Sequence, residues 1–243
     1  MRLIAEFAFV LHARPWRETS LLVEILSAHH GRIGLIARGA QTPKRHPMRA
    51  ALQPLQSIRF DAGIHGDLGQ LHAVEAVDAA PRLSGAAILS GFYLNELTLR
   101  MTPRLDPLPQ LYAAYARTRA LLAWPELLAW TLRRYERDLL DALGIGFEWQ
   151  RDGEGLPIDP AARYLLDPEY GARRQFNDAD GGSRRMAATG AGLLALAADR
   201  MPEPEDLASL RLPMRWVLAQ HLGSKGLKSW EILGDFGKLG DGT

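Results

Sequence analysis

The sequence predicts an α+β chain: a small β-barrel over residues 1–80, then a helical region with an irregular stretch set into it. Three observations carry that prediction. Up to Val77, apolar residues alternate with polar ones in short runs bounded by Gly, Pro and Asp, the period of strands. From Ser84 onward apolar residues recur at three- and four-residue steps, the period of helices. Between Phe147 and Ala188 neither period holds, and Gly, Pro and Asp dominate. With 243 residues, 47% of them hydrophobic, the chain can build a sizeable core, as one large domain or two to three small ones.

Residues 3–13 (LIAEFAFVLHA) read as a first strand. Arg14-Pro-Trp-Arg-Glu-Thr reads as a turn, because Pro15 fixes its own φ and restricts Arg14. Ser20–Leu26 alternates, with Leu21, Val23 and Ile25 on one side. His29-His30-Gly31 is a tight connection, and Arg32–Arg38 returns as a third strand. Leu55–Phe60 is a fourth, Asp61–Asp67 a Gly-rich hairpin, and Leu68–Val77 a fifth. Five short strands in this space suggest a closed or nearly closed barrel. The pattern alone leaves an SH3-like barrel as a competing assignment.

Pro81 marks a change. Ser84–Met101 reads as a buried helix interrupted by Asn95 and Glu96, and Leu108–Ala123 as a second helix. Pro125 opens a third. Its Leu128, Leu132, Tyr135, Leu139 and Leu143 form one apolar stripe, with Arg133, Arg134 and Arg137 off it and Gly144 as the C-terminal cap. After the irregular stretch Thr189 can cap Leu193–Arg200. Asp206–Leu212 reads as a helix, followed by a separate one begun by Pro213 and stopped by Gly223. Ser229 can cap a last short helix through Phe236.

The formal charge is +1, so the balance of the whole chain predicts no polyanionic partner; only its local distribution can. The chain has no cysteine, which excludes disulfides, thiolate metal sites and cysteine nucleophiles and fits a reducing compartment. The N-terminus lacks a basic region followed by a long apolar core, and no run approaches the ~18 apolar residues of a membrane span. The expectation is a soluble, cytoplasmic protein.

Charge is most one-sided between Gly31 and Phe60, a run with no Asp or Glu. It carries Arg32, Arg38, Lys44, Arg45, Arg49 and Arg59, with His46 beside them. The segment 39–47, broken by Gly39, Pro43 and Pro47, reads as a flexible basic finger projecting from the sheet. Such a finger can follow a phosphate backbone without reading bases; a solvated loop with a charge bias is the alternative.

Motifs for chemistry are missing. There is no GxxxxGK[ST], no GxGxxG after a strand, no GxSxG and no HExxH. The seven histidines are scattered; His29 and His30 would point to opposite faces if on a strand, and read as turn or surface residues. Asp178 and Asp180 can hold Mg²⁺, as a metal-dependent nuclease or phosphatase requires, or form a solvated turn. Glu96 can be a general base or a carboxylate at a helix edge or paired with an Arg. No nucleophile–base pair emerges, so no catalytic residue, cofactor or metal site is expected. Arg133 and Arg134, and Lys225 and Lys228, lie beside apolar surface, where basic groups can receive an acidic, hydrophobic peptide. A solvated helix face and a helix C-terminal charge are the alternatives.

The segments FVLHARPWRETSLLVEI (9–25), GRIGLIARGA (31–40), ALQPL (51–55), SGFYLNEL (90–97), LRRYERDLLDALG (132–144) and HLGSKGLKSWEIL (221–233) together resemble the bacterial RecO family of recombination mediators, in the family's order and over nearly the whole chain. The resemblance implies an N-terminal OB-fold followed by a helical domain with an irregular insertion. The expected divisions are an OB-fold DNA-binding domain at 1–80, a first helical part at 81–146, the insertion at 147–188 and a second helical part at 189–243. It implies binding of single- and double-stranded DNA, annealing of complementary strands and association with the nucleoid. It also implies contact with the C-terminal tail of single-strand-binding protein and with RecR, to help load RecA. Carried onto this chain, Arg32, Arg38, Lys44, Arg45 and Arg49 become DNA contacts, and Arg133, Arg134, Lys225 and Lys228 become contacts for the acidic tail. Phe60 and Trp16 are the nearest aromatics for base stacking.

Two departures stand out. Many members carry a four-cysteine zinc site in the insertion. Here Phe147–Ala188 has neither Cys nor His, so no structural zinc is expected, with Trp149, Tyr164, Leu165 and Tyr170 packing the insertion instead. Trp230 stands where members often carry a basic residue. The reading from a different class is a protein-binding adaptor whose basic loop docks an acidic partner rather than DNA.

Overall fold

The computed structural model describes residues 1–42, 46–176 and 186–232. Strands β1 (Arg2–Trp16), β2 (Ser20–Ser27), β3 (Gly31–Ala37), β4 (Ser57–His65) and β5 (Leu68–Ala76) close into a barrel in the order β1-β2-β3-β5-β4. Closure depends on the length of β1. Its first part pairs with β4, from Arg2 to Phe9, and its last part with β2, from Ala8 to Trp16. β3 and β5 form the parallel pair. This closed five-stranded barrel is an OB-fold, not the SH3-like alternative. Val10, Val23, Ile25, Leu35, Ile58 and Phe60 fill its interior.

Three boundaries differ from the sequence expectation. β1 runs through Pro15, which pairs with Leu21, so the turn shrinks to residues 17–19; proline's fixed φ suits an extended end residue as well as a turn. β4 continues to His65, and the expected hairpin of 61–67 reduces to a turn at Gly66 and Asp67. The end of the expected finger is helix: α1 (His46–Ala51) begins within it, Met48 packs on the barrel core, and Leu52 belongs to that core.

All eight residues of β2 are buried, on both of its faces. β3 shows why its own outer side is also covered. The segment 102–106 lies along it, with the Leu105 N–H donating to the Arg32 carbonyl at 2.9 Å. Gly31 permits the contact: its φ is +65°, and an added Cβ would sit 1.8 Å from the Asp106 carbonyl oxygen. Glu24, on the outer face of β2, is 8% exposed and is neutralised there by Arg32 and Arg104.

The chain divides into two compact units, Met1–Pro125 with Leu227–Thr243, and Glu126–Gly226. In the first, α2 (Ala86–Met101) and α3 (Pro109–Leu121) follow the barrel. Phe9 of β1 packs against Tyr112 and Tyr115 of α3, each with ring centroids 5.0 Å away. Arg119 of α3 donates to the Leu55 carbonyl and places two nitrogens 2.8 Å from the Asp78 carboxylate oxygens. The chain returns at Leu227, and a short helix (228–232) begins on α2. Glu96 accepts from the backbone N–H groups of Lys228 and Ser229, both at 2.9 Å, and from the Ser229 hydroxyl at 2.7 Å. Glu96 is thus the cap, and the expected cap Ser229 is one of the groups it holds.

A 3-10 turn (Pro125–Leu127) at the boundary leads into α4 (Leu128–Ala142) of the second unit. The irregular stretch carries a three-stranded sheet, β6 (Arg163–Asp167), β7 (Gly171–Gln175) and β8 (Ala188–Thr189), in the order β7-β6-β8. Trp149 and Tyr164 are buried as expected, but Leu165 and Tyr170 are exposed and do not pack the insertion. Trp149 donates to Asp141 of α4 at 3.1 Å, and the Tyr164 hydroxyl accepts from the Asp159 N–H. Thr189 caps α5 (Gly190–Ala197), accepting from the Gly192 N–H at 3.2 Å. The two helices expected on either side of Pro213 are one, α6 (Pro204–Leu222). Leu210, Pro213, Met214 and Val217 share a buried stripe, and that continuity outweighs the one hydrogen bond Pro213 removes. Among the described residues no helix is long and apolar enough to cross a membrane.

Replacing Arg119 by Ala leaves the Leu55 carbonyl without its donor and takes the guanidinium from the part-exposed Asp78. It should cost about 2 kcal/mol, mostly from the unsatisfied carbonyl because water screens Asp78, read as a lower urea midpoint with unchanged slope. An unchanged midpoint would show that the network does not hold α3 to the barrel.

Candidate nucleic-acid interface

The turn between β1 and β2 and the connection after β3 meet at one end of the barrel. The Gln41 N–H donates to the Thr19 carbonyl at 2.9 Å, and the Gln41 side-chain amide donates to the Ser20 carbonyl at 2.7 Å. Leu21 pairs with Ala37, which brings Arg38 beside this turn. Four exposed arginines belong to these segments and to α1: Arg14, Arg17, Arg38 and Arg49. Among the described residues none of the four has an ion-pair partner; the acid nearest in sequence is Glu18, in the turn. Trp16 is half-buried, with the Arg14 guanidinium 5.8 Å from its ring centroid. Unpaired like charges at a barrel end make a local positive potential on a nearly neutral chain.

Of the five expected DNA contacts, Arg38 and Arg49 belong to this basic group. Lys44 and Arg45 lie outside the described residues. Arg32 lies elsewhere, under the covering segment: its Nε donates to the Thr102 carbonyl at 3.0 Å and its guanidinium pairs with Glu24 at 3.2 Å. Burial pushes the Arg32 guanidinium below its usual range, Glu24 pulls it back, and Arg104 adds to the depression. Phe60, named for stacking, is 1% exposed inside the barrel and offers no face to a base. Arg14 and Arg17 were missed because Glu18 follows them and breaks the acid-free pattern; the signal was Arg-Pro-Trp-Arg itself.

The expected tail contacts divide between the units. Arg133, Arg134 and Lys225 are in the second, Lys228 in the first. Neither Arg133 nor Arg134 lies on a solvated helix face. Arg133 is 9% exposed and pairs with the buried Glu136. Arg134 pairs with Asp199, as does Arg137 at 3.0 Å. Arg137 is also buried, although off the apolar stripe, because it donates to the Leu196 carbonyl and pairs with Asp138 as well. Burial raises the Asp199 carboxyl, but hydrogen bonds from Arg137 and Arg134 outweigh it and hold it below the usual carboxylate range. Lys225 and Lys228 are exposed.

His29 and His30 stand in a turn, and both aim at Glu6, with Nδ1–Oε1 distances of 3.0 and 3.6 Å. Burial raises the Glu6 carboxyl, while hydrogen bonds from Ser27 and His29 outweigh it and hold it low. No cluster of three metal-ligating side chains occurs among the described residues. Asp178 and Asp180 lie outside them.

Comparison with known proteins places this geometry in a family. Residues 1–80 match the model described as Recombination protein O N terminal, and residues 82–231 the model described as Recombination protein O C terminal. The chain belongs to the RecO family of DNA repair proteins. It is 66% identical over 225 residues to the DNA repair protein RecO of Stenotrophomonas maltophilia strain K279a, covering 93% of this chain and 94% of that one. It is 56% identical over 235 residues to the DNA repair protein RecO of Xanthomonas campestris pv. campestris strain B100, covering 97% and 98%. The RecO barrel of this chain is thus a DNA repair protein's OB-fold, and its basic end acquires a chemical setting.

Asp199→Asn should destabilise the second unit by about 1 kcal/mol at neutral pH, since Arg134 and Arg137 lose a charged acceptor. A carboxyl held low in the folded state stabilises above the ordinary carboxylate range, and that contribution is lost as pH falls through the folded value. The difference between wild type and variant should therefore fade below about pH 4. A difference that persisted there would assign Asp199 a role other than charge.

Proposed function

We propose that this protein binds single- and double-stranded DNA through the basic end of its barrel and anneals complementary strands coated with single-strand-binding protein. In this reading it helps load RecA together with RecR. The single observation that supports it best is the group of unpaired arginines, Arg14, Arg17, Arg38 and Arg49, on segments at and beside one barrel end. Lys44 and Arg45 extend the group in sequence. Two DNA strands repel; a surface that neutralises phosphates on each lowers that repulsion and raises local strand concentration without a catalytic residue. Binding is sequence-tolerant, because arginines on phosphates position the strand and read no base. Arg32 acts in this scheme as a positioning residue, fixing β3 beneath its covering segment.

For the acidic tail of single-strand-binding protein, the accessible cations are Arg134 and Lys225 in the second unit and, separately, Lys228 in the first. Arg134 keeps partial exposure in its pair with Asp199, so a peptide carboxylate can exchange for that of Asp199. Arg133 supports α4 through Glu136.

Replacing Arg17, Arg38 and Arg49 together by Ala should make the plot of log affinity against log salt for an oligonucleotide shallower by about 2, roughly 0.7 per lost single-strand phosphate contact. An unchanged slope would remove the basic end as the DNA site. Annealing of oligonucleotides precoated with single-strand-binding protein, with and without its C-terminal tail, tests the rest. Acceleration that needs the tail supports both sites. Tail binding without acceleration favours the adaptor reading.

A further inference from the structure

The second unit carries a hollow of about 700 Å³ that the function proposed above leaves unused. Its lining includes Leu165 and Arg173, which pair across β6 and β7 on one face of the small sheet, and Trp216 of α6. Phe176, just past β7, and Met186 complete the apolar part. Two aromatic side chains there are unusually open: Phe176 is 84% exposed and Trp216 48%. Rings left to water beside a hollow mark a surface that receives something.

The chemistry of the lining narrows the occupant. Arg173 is exposed and has no ion-pair partner among the described residues. Arg174 pairs with Asp159 at 2.8 Å and lies 5.7 Å from the Phe176 ring centroid, so it steadies that ring and leaves Arg173 as the cation for a ligand. The acid in the lining, Asp167, turns away: its Oδ1 accepts from the backbone N–H groups of Glu169 at 2.9 Å and Tyr170 at 3.2 Å. The hollow therefore presents two aromatic faces, an apolar floor and an exposed guanidinium. It is wider than one apolar side chain requires and suits flat rings attached to an anion.

We propose that this hollow is a second nucleic-acid site, in which unpaired bases of a single strand stack on Trp216 and Phe176 while Arg173 holds the adjoining phosphate. Paired bases in a duplex have no free face to offer, so the site is selective for single strands. The proposal rests on the reading that this protein handles DNA, but it uses different residues, in the other unit, from the basic end of the barrel.

The test uses the full-length protein and a 5-iodouracil-labelled oligothymidylate, cross-linked by light and mapped by mass spectrometry. The expected result is a cross-link in the peptide carrying Trp216 or Phe176, competed by unlabelled single strand and not by duplex. The cross-link should persist in the Arg17, Arg38 and Arg49 triple-alanine variant. Replacing Trp216 and Phe176 together by Ala should weaken oligonucleotide binding about tenfold, as should Arg173→Glu, whereas Arg173→Lys should retain most of it. All three side chains are exposed, and an unchanged melting temperature verifies the fold; if a variant unfolds, the wild-type cross-link decides alone. No cross-link, or one lost with the barrel arginines, overturns the proposal and leaves the first site standing. Displacement of the oligonucleotide by a tenfold lower concentration of an acidic, Phe-ended peptide also overturns it, assigning the hollow to a protein. A retained cross-link with normal binding in the triple-alanine variant would instead support the hollow and remove the barrel end.

Discussion

Glu24 is a carboxylate on the outer side of a barrel strand, almost completely withdrawn from water, and much of the first unit follows from the need to neutralise it. A lone ionised group there would be prohibitive. Two arginines meet it, Arg32 from the neighbouring strand and Arg104 from the segment after α2. The second can reach it only if that segment lies along β3, and that is where the backbone bond from Leu105 to Arg32 and the bare Cα of Gly31 allow it to lie. One ion triad thus fixes which side of the barrel is sealed.

That seal bears on recognition. In OB-folds generally the face of the second and third strands, with nearby loops, takes oligonucleotides. In this chain β2 is buried throughout, and β3 carries the chain's own covering segment. The barrel end, by contrast, presents Arg17 and Arg38 from turns, Arg14 from the end of β1 and Arg49 from α1. Under the function proposed above, arginines projecting from several separate segments suit contact with a phosphate chain of any sequence better than a shaped groove would.

The strands were legible because Val23, Ile25, Ile33 and Leu35 recur at every second residue, although the faces opposite them are covered as well. What the sequence hid was pairing over distance. Arg32 reads as a DNA contact in a run with no acid, since its partners, Glu24 and the Thr102 carbonyl, lie eight and seventy residues away. Arg134 reads as a solvated face or a peptide site for the same reason, since Asp199 meets it only in the fold; the partner of Arg133, Glu136, lies one helical turn on and was open to a local reading. Pro213 reads as a helix start, because a local rule cannot weigh one missing hydrogen bond against a buried stripe on both sides. Arg14 and Arg17 were visible but were split from Arg38 by a strand pair, and only the β1–β2 turn beside Gln41 brings them together.

The clasp at Glu96 has a consequence for how the chain is made. Its carboxylate emerges from the ribosome 133 residues before the Ser229 hydroxyl that it holds. The barrel, α2 and α3 are complete by Leu121, yet the last piece of their own unit is still unsynthesised while the whole of 126–226 is being added. Until then Glu96 lacks its three donors from Lys228 and Ser229. The segment that Glu96 holds is therefore added to the first unit last, and a chain truncated between Pro125 and Leu227 would carry the barrel, α2 and α3 but lack that segment.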